Sequence, residues 1–240
     1  MSHTGSRTTR ILGVLTLVLF GIVTVYGLWL TPADVEMGDD VRLLYIHPPI
    51  ATAMFVPVVL TALGSLLWLV RKSVWWDTVA VAGAEVGAVL VGLCLVTGAL
   101  WGRATWGTYW DWDPLLTSTA LLFLMLLGYL ALRQVPAEPE VRNRRSAVVG
   151  LAIAVNVPIV HFAVDWWRSL HQTATVSTLD PKIDGIQLLT FAVGFLAVLV
   201  ATAWMMIHRF RLAWLEDQAE AAFLETAVAE RRQEAGVSTA

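Results

Sequence analysis

Residues 78–114 read TVAVAGAEVGAVLVGLCLVTGAL and then, without interruption, WGRATWGTYWDWDP. The first part, Thr78–Leu100, is a run of Val, Ala, Leu and Gly broken by one carboxylate, Glu85. As a helix rising about 1.5 Å per residue it is long enough to cross a hydrocarbon layer about 30 Å thick. It has no apolar–polar alternation of period two, which speaks against a membrane strand. Lipid offers no partner to open backbone groups, so the run has to be helical. Five more such stretches lie to either side, at Ile11–Leu30, Pro49–Val70, Pro114–Leu132, Ala147–Val164 and Gly185–Ile207. The expected fold is an all-α integral membrane protein, a six-transmembrane-helix bundle. Its expected parts are an N-terminal tail (1–10), a membrane domain (11–207) with an outward-facing loop at 101–113, and a C-terminal tail (208–240).

Composition agrees. Charged residues are 15% and hydrophobic residues 57% of the chain, where a soluble domain carries about 25% charge and so has enough polar surface. The mean hydropathy is +0.67. A net charge of -3 argues against a nucleic-acid partner, and a single cysteine, Cys94, forbids an intrachain disulfide. The first span follows Arg7 and Arg10 and exceeds the 7–15 residues of a signal-peptide core, so it reads as a retained signal anchor.

Lys and Arg in the connections set the orientation. One side holds Arg7, Arg10, Arg71, Lys72, Arg133, Arg142, Arg144, Arg145, Arg209, Arg211, Arg231 and Arg232; the other holds Arg42, Arg103, Arg168 and Lys182. That 12-to-4 split predicts both termini in the cytoplasm and three outward loops, Thr31–His47, Trp101–Asp113 and Asp165–Asp184. The inner segment Arg133–Arg145, with Pro136 and Pro139, reads as a loop. The tail after Ile207 reads as solvated and partly frayed, with a partner-binding helix as the alternative.

The chemistry collects on the outward side. Four of the 12 Trp residues, Trp101, Trp106, Trp110 and Trp112, fall within one outer loop, and Trp166 and Trp167 fall in another. An interfacial belt uses one or two anchors per helix end, so this density favours an aromatic platform for a flat ligand. Gly102 and Gly107 allow the backbone to approach such a ligand. Asp113-Pro114 has the chemistry of an N-cap followed by a first helical residue. Of five His residues, His3 and His208 read as surface residues. His47, His161 and His171 are the candidates for a structural role or for metal or haem ligation. An imidazole pair on opposite faces of a planar iron macrocycle suits ligands at helix ends. No Cys-x-x-Cys-His occurs, so any haem is bound noncovalently. No His-Glu-x-x-His occurs either, which disfavours zinc hydrolysis. Glu85, inside a span, is either part of a proton or ion path or a hydrogen-bonded packing residue.

Trp101-Gly-Arg-Ala-Thr-Trp106-Gly-Thr-Tyr-Trp110-Asp-Trp112-Asp113 resembles the tryptophan-rich WWD signature of haem-handling membrane proteins. Arg42-Leu-Leu-Tyr45-Ile-His47-Pro and the stretch from Asn156-Val-Pro158 through His161 and Asp165-Trp166-Trp167 to His171-Gln172 resemble the haem exporter protein C family of cytochrome c maturation. The resemblance runs from about Arg42 to Lys182. It implies a non-catalytic component that holds haem b noncovalently at the external face of the plasma (inner) membrane. The axial ligands of the iron would be His47 and His171. Trp101, Trp106, Trp110, Trp112, Asp113 and Arg42 would complete the haem-binding set. The implied partners are a membrane-anchored haem chaperone, to which haem is presented, and an ATP-binding cassette complex that releases the loaded chaperone. One departure stands out: the family has Arg where this chain has Leu115. Asp113-Pro114 is reminiscent of the sister cytochrome c synthetase branch of WWD haem transporters. Arg42, Arg103 and Arg168 are the candidate propionate partners in place of the missing Arg. The rival readings are a transporter of that sister branch and an electron-transfer cytochrome b, which needs His pairs inside the bundle.

Overall fold

The computed structural model describes residues 5–171, 183 and 185–234. His3, Gln172, Asp180, Lys182 and Asp184, weighed above, lie outside the described residues. Among the described residues there are seven α-helices and no β-strand, and six helical segments are long and apolar enough to cross a membrane. They are α1 (Arg7–Val25, continued by a π-helical turn, Tyr26–Leu30), the pair α2 (His47–Ala53) and α3 (Phe55–Arg71), α4 (Val74–Trp106), α5 (Pro114–Gln134), α6 (Pro139–Trp166) and α7 (Gly185–Glu234). The protein is therefore the six-span helical membrane protein expected.

Local chemistry explains the joints. The second span is split at Met54 because Pro57 has no N–H to bond the carbonyl of Ala53. Pro48 and Pro49 sit in the first turn of α2, where an amide proton is not needed. Asp113 caps α5 as its sequence demands, its carboxylate accepting from Leu116 N–H at 2.8 Å.

Three expected boundaries are corrected. The outer loop 101–113 is half helix, since α4 continues through Trp106 and stops at Gly107, which takes the left-handed conformation (φ 75°) that ends helices. In the inner segment 133–145 only Val135–Glu138 is non-helical. Pro139 begins α6, and Glu140 complements the dipole of its first turn. In the tail after Ile207 the described residues, 208–234, are helical rather than frayed: α7 is 50 residues long, about 75 Å at 1.5 Å per residue. Residues 208–234 contain neither Gly nor Pro and are dominated by good helix formers.

The core is packed on α4, which touches α2, α3, α5 and α7; α6 lies against α3 and α5, and α1 lies along α7. Small residues let the backbones meet, as expected where lipid removes the hydrophobic drive between helices. A Cβ on Gly83 would lie 2.6 Å from the Pro57 carbonyl oxygen of α3. Val58, Val91, Leu122, Leu126 and Ile153 fill the space around this contact.

Ion pairs gather at the end of the bundle where α1 begins. Arg133 makes a two-pronged pair with Asp77 at 2.8 and 2.7 Å, Arg142 meets Glu220 at 2.9 Å, and Arg211 donates to Ser6. Glu85 is paired with Arg209 of α7 through both carboxylate oxygens, so of its two expected roles the hydrogen-bonded one is present. Side chains of Asp77 and Arg133 are only 9% and 13% exposed. Asp77→Ala is expected to cost about 3–5 kcal/mol by stranding the Arg133 charge, while Asp77→Ala with Arg133→Leu recovers most of that loss. Thermal unfolding of the detergent-solubilised variants checks both outcomes.

Candidate functional site

At the opposite end, the last three turns of α4 organise the site. Thr97 and Trp101 are four residues apart and share a face of α4. His47, the first residue of α2, lies across that face. Its Nδ1 is 3.0 Å from Thr97 Oγ1, and its ring meets Trp101 edge-on at 5.4 Å and 86°. Gly98 makes the approach possible, since a Cβ there would sit 3.0 Å from His47 Cε1. The segment before His47 is clamped from behind: Tyr45 is 1% exposed, and the Tyr45 carbonyl presses on α7 where only Gly194 leaves room.

His171 arrives from the other direction. After α6 ends at Trp166, the chain turns back over the start of α5. There one oxygen of Asp113, Oδ2, collects three contacts: the Leu170 N–H at 3.1 Å, the Ser169 hydroxyl and His171 Nδ1 at 3.2 Å. The other oxygen caps α5. His171 meets the edge of Trp106 at 4.6 Å. Both imidazoles thus rest on tryptophans of one helix end.

The proton positions follow from the partners. The Thr97 hydroxyl donates to the Leu93 carbonyl at 2.8 Å, so its lone pair accepts from His47 Nδ1–H. A carboxylate only accepts, so His171 also carries its proton on Nδ1. In both rings Nε2 is left without a hydrogen-bond partner among the described residues. Burial acts to raise the pKa of Asp113, but the Leu116 N–H, the Ser169 hydroxyl and His171 together outweigh it and hold the carboxyl below 3.8.

The remaining candidates fall into two groups. Trp106, Trp110 and Trp112 are 37%, 36% and 81% exposed, with Trp110 and Trp112 edge-to-face at 5.7 Å. They form an open aromatic surface, whereas Trp101 packs inward on the cluster around Tyr45. Asp113 is turned toward His171 and the cap. Arg42 is engaged as well, with Asp39 at 2.7 Å and with the Gly27 carbonyl. Arg103 donates to the Gly107 carbonyl and covers the Tyr109 ring, while Arg168 is exposed. Leu115, at the departure from the family pattern, packs on the core. His161 meets Phe55 and Phe162, not the tryptophans of α4. Two residues of the site were not singled out in the sequence, Thr97 and Ser169. The available signals were their spacings, one turn before Trp101 and two residues before His171.

These residues fit a flat iron macrocycle. Two imidazoles hydrogen-bonded at Nδ1 leave Nε2 as a nitrogen donor, and the exposed indoles of Trp106, Trp110 and Trp112 supply stacking faces.

Comparison with known proteins points the same way. A family model described as heme exporter protein C matches residues 1–225. The chain is 42% identical to the heme exporter protein C of Bradyrhizobium diazoefficiens over 197 residues, 79% of this chain and 73% of that protein. It is 33% identical to that of Haemophilus influenzae over 213 residues, 86% of this chain and 84% of that protein. Against that of Escherichia coli K12 it is 31% identical over 212 residues, again 86% and 84%.

The depressed Asp113 carboxyl has a pH consequence. Its stabilisation is complete above the unfolded value of 3.8 and is lost as pH falls through the lower folded value. Without haem, wild type is expected to lose stability more steeply than Asp113→Asn below about pH 4. Unfolding midpoints measured across that range check this, and parallel curves would contradict it.

Proposed function

The chain belongs to the haem exporter protein C family, and on that footing we propose that it binds haem noncovalently at the outer face of the plasma (inner) membrane and delivers it for cytochrome c maturation. The carrying observation is the pair of imidazoles seated on one helix end, each held at Nδ1 and open at Nε2. In this reading Nε2 of His47 and Nε2 of His171 bind the iron of haem b from its two faces. Trp106, Trp110 and Trp112 provide the platform. Arg168, exposed beside this site, is the propionate partner in place of the family Arg, since a guanidinium matches a carboxylate with two parallel bonds. Arg42 and Arg103 are occupied by protein acceptors and hold the loops around the site. The chain catalyses no bond change in its cargo.

The 12-to-4 distribution of Lys and Arg supports placing both termini in the cytoplasm and the site outside. The recipient is a membrane-anchored haem chaperone that meets the open tryptophan surface. The long inner extension of α7, with Phe223 72% exposed, is the surface offered to an ATP-binding cassette complex. The lipid bilayer surrounds the six spans.

Absorption spectra of the purified, haem-loaded protein test the ligand assignment. His47→Ala with His171→Ala is expected to abolish the low-spin Soret band and most of the bound haem. Unchanged haem content with an unchanged band would overturn it.

A further inference from the structure

The two imidazoles are backed by groups of different charge. His171 Nδ1–H faces a carboxylate, Asp113 Oδ2, at 3.2 Å. That carboxylate is immobilised by Leu116 N–H, Leu170 N–H and the Ser169 hydroxyl. His47 Nδ1–H faces a neutral acceptor, Thr97 Oγ1, at 3.0 Å, and the Thr97 proton is itself given to the Leu93 carbonyl. An anionic acceptor draws the Nδ1 proton toward itself, which raises electron density on Nε2 and fixes the ring plane. A hydroxyl oxygen does this only weakly. The donors would therefore bind iron with unequal strength although both are histidines.

We infer that Asp113 is a positioning residue that makes His171 the strong, retained ligand of the haem iron. Thr97 leaves His47 as the weak ligand, the one released when haem is handed on. The inference rests on the reading of His47 and His171 as the axial pair. At hand-over the bond between iron and His47 Nε2 breaks, its electron pair staying on nitrogen. A neutral donor atom of the recipient, bringing its own lone pair, would fill the vacated position. No electron and no proton is transferred, so the step needs no further reactant. His171 keeps haem on the platform while the opposite side exchanges.

The test uses the full-length, haem-loaded protein in detergent, with Asp113→Asn, Thr97→Val and the single alanine variants of each histidine. Asn remains a good N-cap, so α5 keeps its start. Asp113→Asn is expected to raise the haem midpoint potential and to speed haem loss by about 10–100-fold. Thr97→Val is expected to shift the potential less than Asp113→Asn does. His47→Ala should retain haem with one ligand and return to a low-spin spectrum on addition of imidazole, whereas His171→Ala should lose it. On the reduced wild type, carbon monoxide should displace His47, so its complex should match that of His47→Ala in iron–carbon vibration. That measurement requires no variant of Asp113. Equal haem retention by the two single alanine variants, or an Asp113→Asn potential equal to wild type, would overturn the inequality and leave the axial pair standing. A low-spin spectrum that survives the double alanine variant would overturn the axial pair itself.

Discussion

The carboxylate of Asp113 is where three distant pieces of chain are tied together. One oxygen caps the first turn of α5. The other holds the segment that follows α6, through Ser169, Leu170 and His171. Without it, the described segment that follows Trp166 loses the anchor that holds His171 against Trp106. The side chain is only 5% exposed, so the charge is tolerable only because several donors converge on it. A local capping preference and a long-range site are thus served by one group.

The membrane constrains everything else. Helices that must satisfy their own backbones leave few polar groups for the middle of the bundle, so chemistry is displaced to the helix ends. The two ends have been used differently. The end where α1 begins carries ion pairs that join α4 to α5 and α6 to α7. The other end carries the tryptophans and histidines of the candidate site. Between them, α4 acts as a post whose inner half is narrow enough to receive α3 at Gly83. Its last three turns present Thr97, Trp101 and Trp106 to the chain segments arriving from α2 and α6. The length of α4 beyond the span needed for lipid is what lifts Trp106 to the level of His171.

Much of this was legible in the residues themselves. Six apolar runs announce six spans because, without period-two alternation, such a run satisfies its backbone in lipid only as a helix. Asp113-Pro114 announces a helix start because both residues act within one turn. The six tryptophans at one end of the bundle and the two histidines mark a candidate site because their density exceeds what an interface uses. What could not be read has a common cause. The reach of α4 to Trp106 and of α7 to Glu234 depends on where packing and favourable residues let a helix continue past the membrane boundary, and apolarity marks only that boundary. The partner of Glu85 is Arg209, 124 positions away, and an ion pair between two helices leaves no periodic trace. Thr97 looks like any small residue of a span until His47 is laid across it.

By itself, then, the sequence determined the class of fold, the number of spans and the end of the bundle at which the candidate residues gather. These follow from hydrophobic length, charge asymmetry and local capping, which are properties of contiguous residues. Tertiary structure alone decided which group backs each histidine, a carboxylate for His171 and a hydroxyl for His47. Those pairings join residues 58 and 50 positions apart. They arise only when α4, α5 and the chain segments at their ends are packed at one level, because a hydrogen bond is a matter of a few ångströms and not of order along the chain.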